Sequence, residues 1–217
     1  MITLFGNLES GNVHKVQMIL RRIGAPYRRV DVSQAKGETG SPAYRQINPI
    51  AKIPAVLFDD GDILTESGAI LFFFGRQTPL WPDNNRVQAE VLRWMFFEQY
   101  SHEPSLAVIR YLRRFNDEPG GHADRLKGLE PKARHALNVM EDHLQQNNWF
   151  GNEVCSIADY ALYPYTRLAD EAGFDLRVFP SIQKWLGEME SQPAFIPLLT
   201  DGAELTLGFN EYFIGNH

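Results

Sequence analysis

Residues 48–70 read NPIAKIPAVLFDDGDILTESGAI, and the order of elements in this stretch decides the fold. Residues 55 to 58 have strand character, Asp60-Gly61 makes a hairpin turn, and Ile63-Leu64 runs back antiparallel. From Ser67 to Arg76 the pattern is a helix dense in apolar residues. Just upstream, Ser41-Pro42 reads as an N-cap followed by proline at the first helical position. The short helix it opens ends near Asn48-Pro49.

Working back toward the start, residues 2 to 5 form a β-type run closed by Gly6-Asn7. Val13, Val16, Ile19, Leu20 and Ile23 then recur at helical spacing, with Gly24 as the C-terminal cap. Residues 27 to 32 alternate as a second strand. The order β-α-β-α-β-β-α calls for a parallel pair joined by a crossover helix, followed by an antiparallel hairpin. Thr78-Pro79-Leu80-Trp81-Pro82 and the following Asp83-Asn84-Asn85 break every pattern and read as a linker. Beyond them no strand is expected. Residues 86 to 114 are helical, with Pro104 set to kink or split the run. A loop at 116 to 122 and helices at 131 to 146, 156 to 172 and 181 to 190 follow. The expected architecture is an α/β domain over residues 1–78 and an all-α helical bundle over 86–217.

Composition narrows the function. The 217 residues are 44% apolar and 22% charged, a balance that excludes intrinsic disorder and allows a buried core. The longest apolar run, residues 69 to 74, is too short to span a membrane. No basic segment leading into an apolar one opens the chain, so export is not expected. Net charge is −6, split as +2 over residues 1–78 and −8 beyond, which disfavours a nucleic-acid partner. It leaves open an anionic ligand on the relatively basic first part, or mere compositional noise. Cys155 is the only cysteine. That rules out an internal disulfide, a Cys-x-x-Cys pair and a cysteine-rich zinc site, and it fits a reduced cytoplasm.

Three local motifs could carry chemistry. Ile53-Pro54, between a short helix and a strand, is ordinary punctuation if trans. A cis bond would turn the Ile53 backbone N–H and C=O toward a ligand. Ser67 opens a helix, whose free N–H groups and positive dipole end attract a carboxylate, and Glu66 beside it can pair with an ammonium. Ser67 or Thr65 can equally be a plain N-cap. The loop Glu9-Ser10-Gly11-Asn12 leads into the first helix. It is a turn and cap, or a place where Ser10 and Asn12 donate hydrogen bonds to a thiolate or another anion.

Together these segments resemble the cytosolic glutathione S-transferase family. The matching stretches are Ser10-Gly11-Asn12-x-x-Lys15-Val16, residues 48–56 and residues 64–70. In the helical half they are Ser156-Ile157-Ala158-Asp159-Tyr160 and Phe179-Pro180-x-Ile182-x-x-Trp185. The resemblance spans essentially the whole chain. It implies a thioredoxin-like N-terminal domain that binds glutathione as co-substrate, with no metal. Glu66 and Ser67 would hold the γ-glutamyl end, and Ile53, ahead of a cis Pro54, would pair with the cysteinyl unit. Lys52, or in competition Lys36, would approach the glycyl carboxylate. Ser10 would donate to the sulfur, with Asn12 helping or taking over. A small hydrophobic electrophile, of the kind met in detoxification, would be attacked in front of the helical domain, with Tyr100, His102, Glu103 and Tyr111 as lining candidates. For His102 a surface or interface position is the preferred alternative. Trp94, Phe96 and Phe97 read as core or dimer contacts, and the resemblance implies a cytoplasmic homodimer. Ala51 stands where the family often has glycine.

Ser156 and Asp159 form a capping box on their own physical merits, and Cys155 reads as structural. With no cysteine in the Ser10 loop, any sulfur chemistry uses a borrowed thiol. The expected reaction is thiolate transfer. Disulfide reduction or peroxide reduction with glutathione, and a non-catalytic glutathione-binding module, are the alternatives.

Overall fold

The computed structural model describes residues 1–115, 122–151 and 153–214, so most of the loop expected at 116 to 122 lies outside the described residues. The chain divides into two compact units, one of Met1–Thr78 with Pro193–His217 and one of Pro79–Gln192.

The first unit is built as its periodicity dictates. Strands β1 (Ile2–Phe5), β2 (Tyr27–Val30), β3 (Ala55–Leu57) and β4 (Ile63–Thr65) alternate with helices α1 (Gly11–Arg22), α2 (Pro42–Ile47) and α3 (Ser67–Gly75). β1 and β2 pair in parallel around the α1 crossover, while β3 runs antiparallel to both β1 and β4. Phe5, Val13, Val16, Leu20, Tyr44 and Val56 belong to one buried apolar core. This is a thioredoxin-like domain with a mixed sheet.

The expectation of no strand after residue 85 is corrected at β5 (Leu205–Leu207). It pairs in parallel with β2 and completes the sheet order β4-β3-β1-β2-β5. Three residues are too few for an alternation signal, and their partner lies about 175 positions earlier, so no local pattern announces them. The helix α9 (Phe209–Phe213) follows, with the Tyr212 and Phe213 rings 5.2 and 6.0 Å from that of Phe5. This returning segment also revises the charge argument. It holds three carboxylates and no cation, so the +2 of residues 1–78 becomes −1 for the unit as folded. Net charge is no argument for an anion site here.

The second unit is helical: α4 (Asn85–Phe97), α5 (Glu103–Phe115), α6 (Ala123–Leu144), α7 (Ile157–Arg167) and α8 (Pro180–Glu190). Between α4 and α5 the ladder widens to a π-type turn over Glu98–His102, where the Glu103 N–H reaches the Glu98 carbonyl. Pro104 supplies no N–H to the turn before it. The Ser105 hydroxyl instead donates to the Ser101 and His102 carbonyls, each at 2.9 Å. Helix α6 starts eight residues before the expected Pro131, which lies inside it. Leu126 and Leu129 extend the apolar stripe past the proline at the cost of one backbone hydrogen bond.

The expected capping box is present at α7 and is part of a larger array. Asp159 is fully buried. Its Oδ1 accepts from the Phe150 N–H (3.0 Å) and from Trp185 Nε1 of α8 (2.9 Å). Its Oδ2 accepts from the Ser156 N–H (2.8 Å) and hydroxyl (3.0 Å). Cys155 Sγ lies 3.7 Å from Met189 Sδ in the same region.

Candidate functional site

Two helix N-termini meet in the first unit. At α1, Ser10 is the N-cap in extended conformation, and its Oγ accepts from the Val13 N–H at 3.3 Å. At α3, Ser67 is the first helical residue and is nearly buried. The Ser67 hydroxyl donates to Asn12 Oδ1 at 3.3 Å, so residues 55 positions apart in sequence stand side by side. The free N–H groups and positive dipole ends of both helices therefore face one small region, where a negative group is favoured.

Glu66 occupies the cap position of α3 at φ 68° and ψ 113°, in the half of backbone space that side chains avoid. A non-glycine residue held there costs about 1–3 kcal/mol, and such positions concentrate at ligand clamps. The Glu66 carbonyl is retained by the Ile70 N–H at 2.9 Å. His14, one turn into α1, contributes no charge: burial pushes its imidazole down to about 4.

The third element is the turn before β3. The Ile53-Pro54 bond is cis. The preceding Lys52 carbonyl accepts from the Tyr44 hydroxyl and from Asn48 Nδ2, both at 2.8 Å, while Asn48 Oδ1 accepts from the Ile50 N–H at 3.1 Å. Lys52 thus has a fixed backbone and an exposed side chain. Sequence reasoning missed Tyr44 and Asn48 as the residues fixing this turn. Asn48-Pro49 was legible as a helix stop, but its second duty needed the fold. Lys36 is exposed on the loop after β2, and no hydrogen bond or ion pair among the described residues joins it to Ser10, Asn12, Lys52 or Ser67.

Ala51 sits at φ 58°, in the left-handed region. A Cβ there costs about 1 kcal/mol, which glycine removes at the expense of a more flexible unfolded chain. Ala51→Gly is therefore expected to raise stability slightly, by up to ~1 kcal/mol, without altering the turn. Urea unfolding of the two proteins measures this, and a clear loss of stability would contradict it.

The helical-unit candidates separate by burial. Tyr100 is 88% exposed and Tyr111 is 47% exposed, so both can offer a ring to a ligand. His102 is completely buried, its Nε2 2.9 Å from Thr166 Oγ1. It is neither surface nor lining but a polar tie inside the helical core, where the π-type turn rotates it inward. Trp94 is also core, packed edge-on to Phe97 and Phe150, whereas Phe96 is exposed. Among the described residues no cluster of three or more potential metal ligands occurs, and no helix is long and apolar enough to cross a membrane.

Comparison with known proteins gives consistent matches. The model of the glutathione S-transferase N-terminal domain matches residues 1–76, and that of the C-terminal domain matches residues 100–193. A glutathione S-transferase crystal structure from Pseudomonas fluorescens Pf-5 superposes with a TM-score of 0.89 at 39% identity, covering 92% of this chain and 99% of that one. Yeast Ure2p in complex with glutathione superposes at 0.80 with 25% identity, over 89% and 90% of the two chains. The disulfide-bond oxidoreductase YfcG of Escherichia coli K12 is 28% identical over 190 residues, 84% of this chain and 87% of that protein.

Proposed function

This chain belongs to the glutathione S-transferase family, and on that premise we propose that it binds glutathione and ionises its thiol for attack on a small apolar electrophile. The observation that carries the reading is the 3.3 Å contact between Ser67 and Asn12. The contact sets a helix end, where a carboxylate is favoured, beside a loop rich in hydrogen-bond donors, and this supports a tripeptide ligand with a thiol one residue from its γ-glutamyl end.

In this reading the α-carboxylate of the γ-glutamyl unit meets the α3 N-terminus at Ser67, and its ammonium meets the Glu66 carboxylate. The cysteinyl backbone pairs with Ile53 beside Pro54. Lys52, whose backbone is pinned while its side chain is exposed, approaches the glycyl carboxylate in preference to Lys36. Ser10 and Asn12 stabilise the sulfur as thiolate at the α1 N-terminus. The nucleophile belongs to the ligand, so the reaction calls on no metal and no protein thiol. The cytoplasm, where glutathione is kept reduced, is the matching compartment. A second copy of the chain is the proposed partner for the apolar surface that Ile63, Phe72 and Phe73 expose on the first unit.

A second reading is favoured by one relative: the similarity to YfcG supports glutathione-dependent disulfide reduction at the same loop. One glutathione thiolate would attack the disulfide and expel one substrate thiolate, and a second would attack the mixed disulfide, expelling the other substrate thiolate and forming oxidised glutathione. Titration calorimetry with glutathione, followed by turnover assays with an aryl halide, a peroxide and a small disulfide, tests both. We expect binding and turnover of the aryl halide. Turnover of the disulfide alone selects the second reading, binding without any turnover removes both, and absence of binding removes the site.

A further inference from the structure

Arg29 of β2 is 4% exposed, and a buried guanidinium needs acceptors for its donors. Its partners come from three parts of the chain. Nε and Nη2 both donate to Asp201 Oδ2, at 3.0 and 2.7 Å. Nη1 donates to Asp31 Oδ1 at 2.6 Å and to the Gly6 carbonyl at 2.8 Å. The last of these contacts is the informative one. Gly6 follows the end of β1, and its N–H still bonds to the Val30 carbonyl of β2 at 3.0 Å. Its own carbonyl leaves the sheet and is gripped by Arg29. On the other side α1 presses on Gly6: a Cβ there would lie 2.3 Å from Val13 Cγ2, and its φ is 152°. Gly6 is thus clamped between Arg29 and α1, and the next residues form the loop to Ser10 and Asn12. Asn7 continues the attachment, its Nδ2 donating to the Val32 carbonyl at 2.9 Å.

Asp201 belongs to the segment that returns from the end of the chain. Besides Arg29 it accepts from the Thr206 hydroxyl at 2.6 Å and from the Ala203 N–H at 3.1 Å, shaping the turn into β5. Burial alone would push the Asp201 carboxyl up, but the bonds from Arg29 and Thr206 hold it below its ordinary value. Asp201 is therefore ionised throughout the neutral range, and the link to Arg29 stays charged.

We propose that Arg29 is a positioning residue for the loop carrying Ser10 and Asn12, and that the C-terminal segment holds it in that role through Asp201. If Asp201 is lost, two donors of a buried cation lose their acceptor. The guanidinium then turns toward Asp31, which is half-exposed, and toward solvent, and its weakest partner, the neutral Gly6 carbonyl, is given up. The tail would thereby tune the thiol site without touching it. The functional half of this inference rests on the reading that this loop meets the glutathione sulfur.

The test uses the full-length chain with Asp201→Ala, with Asp201→Asn as the conservative variant that keeps one acceptor oxygen. Asp175→Asn, which breaks an exposed pair with Arg177 in the other unit and keeps an oxygen for the Arg177 N–H, is the control. Amide hydrogen exchange over residues 7–12 reports the loop, and ultraviolet absorbance of bound glutathione against pH reports the thiolate. With Asp201→Ala we expect exchange over residues 7–12 to quicken by roughly tenfold and the thiolate fraction near neutral pH to fall roughly threefold to tenfold. The dissociation constant for glutathione should rise only about threefold to fourfold, the amount that the lost ionisation itself requires, since the γ-glutamyl end is held elsewhere; Asp201→Asn should fall between, and the control should match wild type. Faster exchange confined to residues 201–207, with the loop and thiol unchanged, would reduce the tail to a cover for the β2 edge and overturn the proposal. If wild type binds no glutathione, the functional reading fails on its own, while exchange over residues 7–12 still decides the Arg29 linkage.

Discussion

Asn12→Ala is expected to bind glutathione within a few-fold of wild type while losing roughly 3- to 25-fold in turnover at pH 7, and Ser10→Ala to behave similarly. The magnitude comes from ionisation. A free thiol with a pKa near 8.5 is only about 3% thiolate at pH 7, and lowering that pKa by ~2 units makes most of it thiolate. The differential stabilisation required is about 2.7 kcal/mol, and one hydrogen bond to a charged group supplies ~1.5–3 kcal/mol. Removing one donor should thus return one to two pKa units. The loss is specific to ionisation, so turnover of the variants should approach wild type at pH 9, where the thiol ionises unaided. Kinetic profiles from pH 6 to 9 measure this. Equal losses at both ends of the range would mean that the side chain does something other than stabilise the thiolate. The variants also differ in a way that separates folding from chemistry. Ser10 caps α1 through Val13, so Ser10→Ala additionally costs about 1 kcal/mol of stability, whereas Asn12→Ala takes from the Ser67 hydroxyl its acceptor. The two variants disturb different neighbours, so a loss of ionisation common to both marks the thiol site.

How far the site could be read in advance follows from the range of each interaction. Ser10 was legible because an N-cap is a local device, set by the residue and the helix it precedes, and Ser67 because it opens α3, whose cap position is taken by Glu66. The contact between Ser67 and Asn12 was not, because it exists only once α3 packs on α1. The same division runs through the fold. The first unit's seven leading elements follow from hydrophobic period and turn residues, and the helical half follows from its stripes. Pro131 misplaced the start of α6, because a proline is a strong local stop that a continuing apolar stripe outweighed. β5 was invisible at three residues, and with it went the Arg29–Asp201 pair across 172 positions. The charge split misled for the same reason: sequence halves were counted, whereas the chain folds its acidic end onto its basic beginning.

The largest stability effect should come from Asp159→Ala. Three nitrogen donors converge on that carboxyl, from Phe150, Ser156 and Trp185, and all are buried with it. Truncation leaves them without an acceptor where water does not reach, and breaking a buried charged array by removing one partner costs about 3–5 kcal/mol. That is a large share of a typical domain's stability, so the helical unit should unfold at markedly lower urea. The pH dependence runs against the usual carboxylate pattern. Burial pushes Asp159 up to about 6 from an ordinary 3.8, outweighing the bonds from Phe150, Ser156 and Trp185. The folded protein therefore holds this proton more tightly than the unfolded chain. Its contribution is complete below about pH 4 and declines as pH rises through about 6, by roughly 3 kcal/mol in all. The geometry accommodates the proton, because the Ser156 hydroxyl can turn from donor to acceptor against Oδ2. Asp159→Asn removes the titration while keeping a carbonyl oxygen for Phe150 and Trp185. The stability advantage of wild type over Asp159→Asn should accordingly shrink between pH 4 and pH 7 in urea unfolding. An advantage that grows over that range would mean that the converging N–H groups prevail over burial and that the carboxylate is ionised at neutral pH.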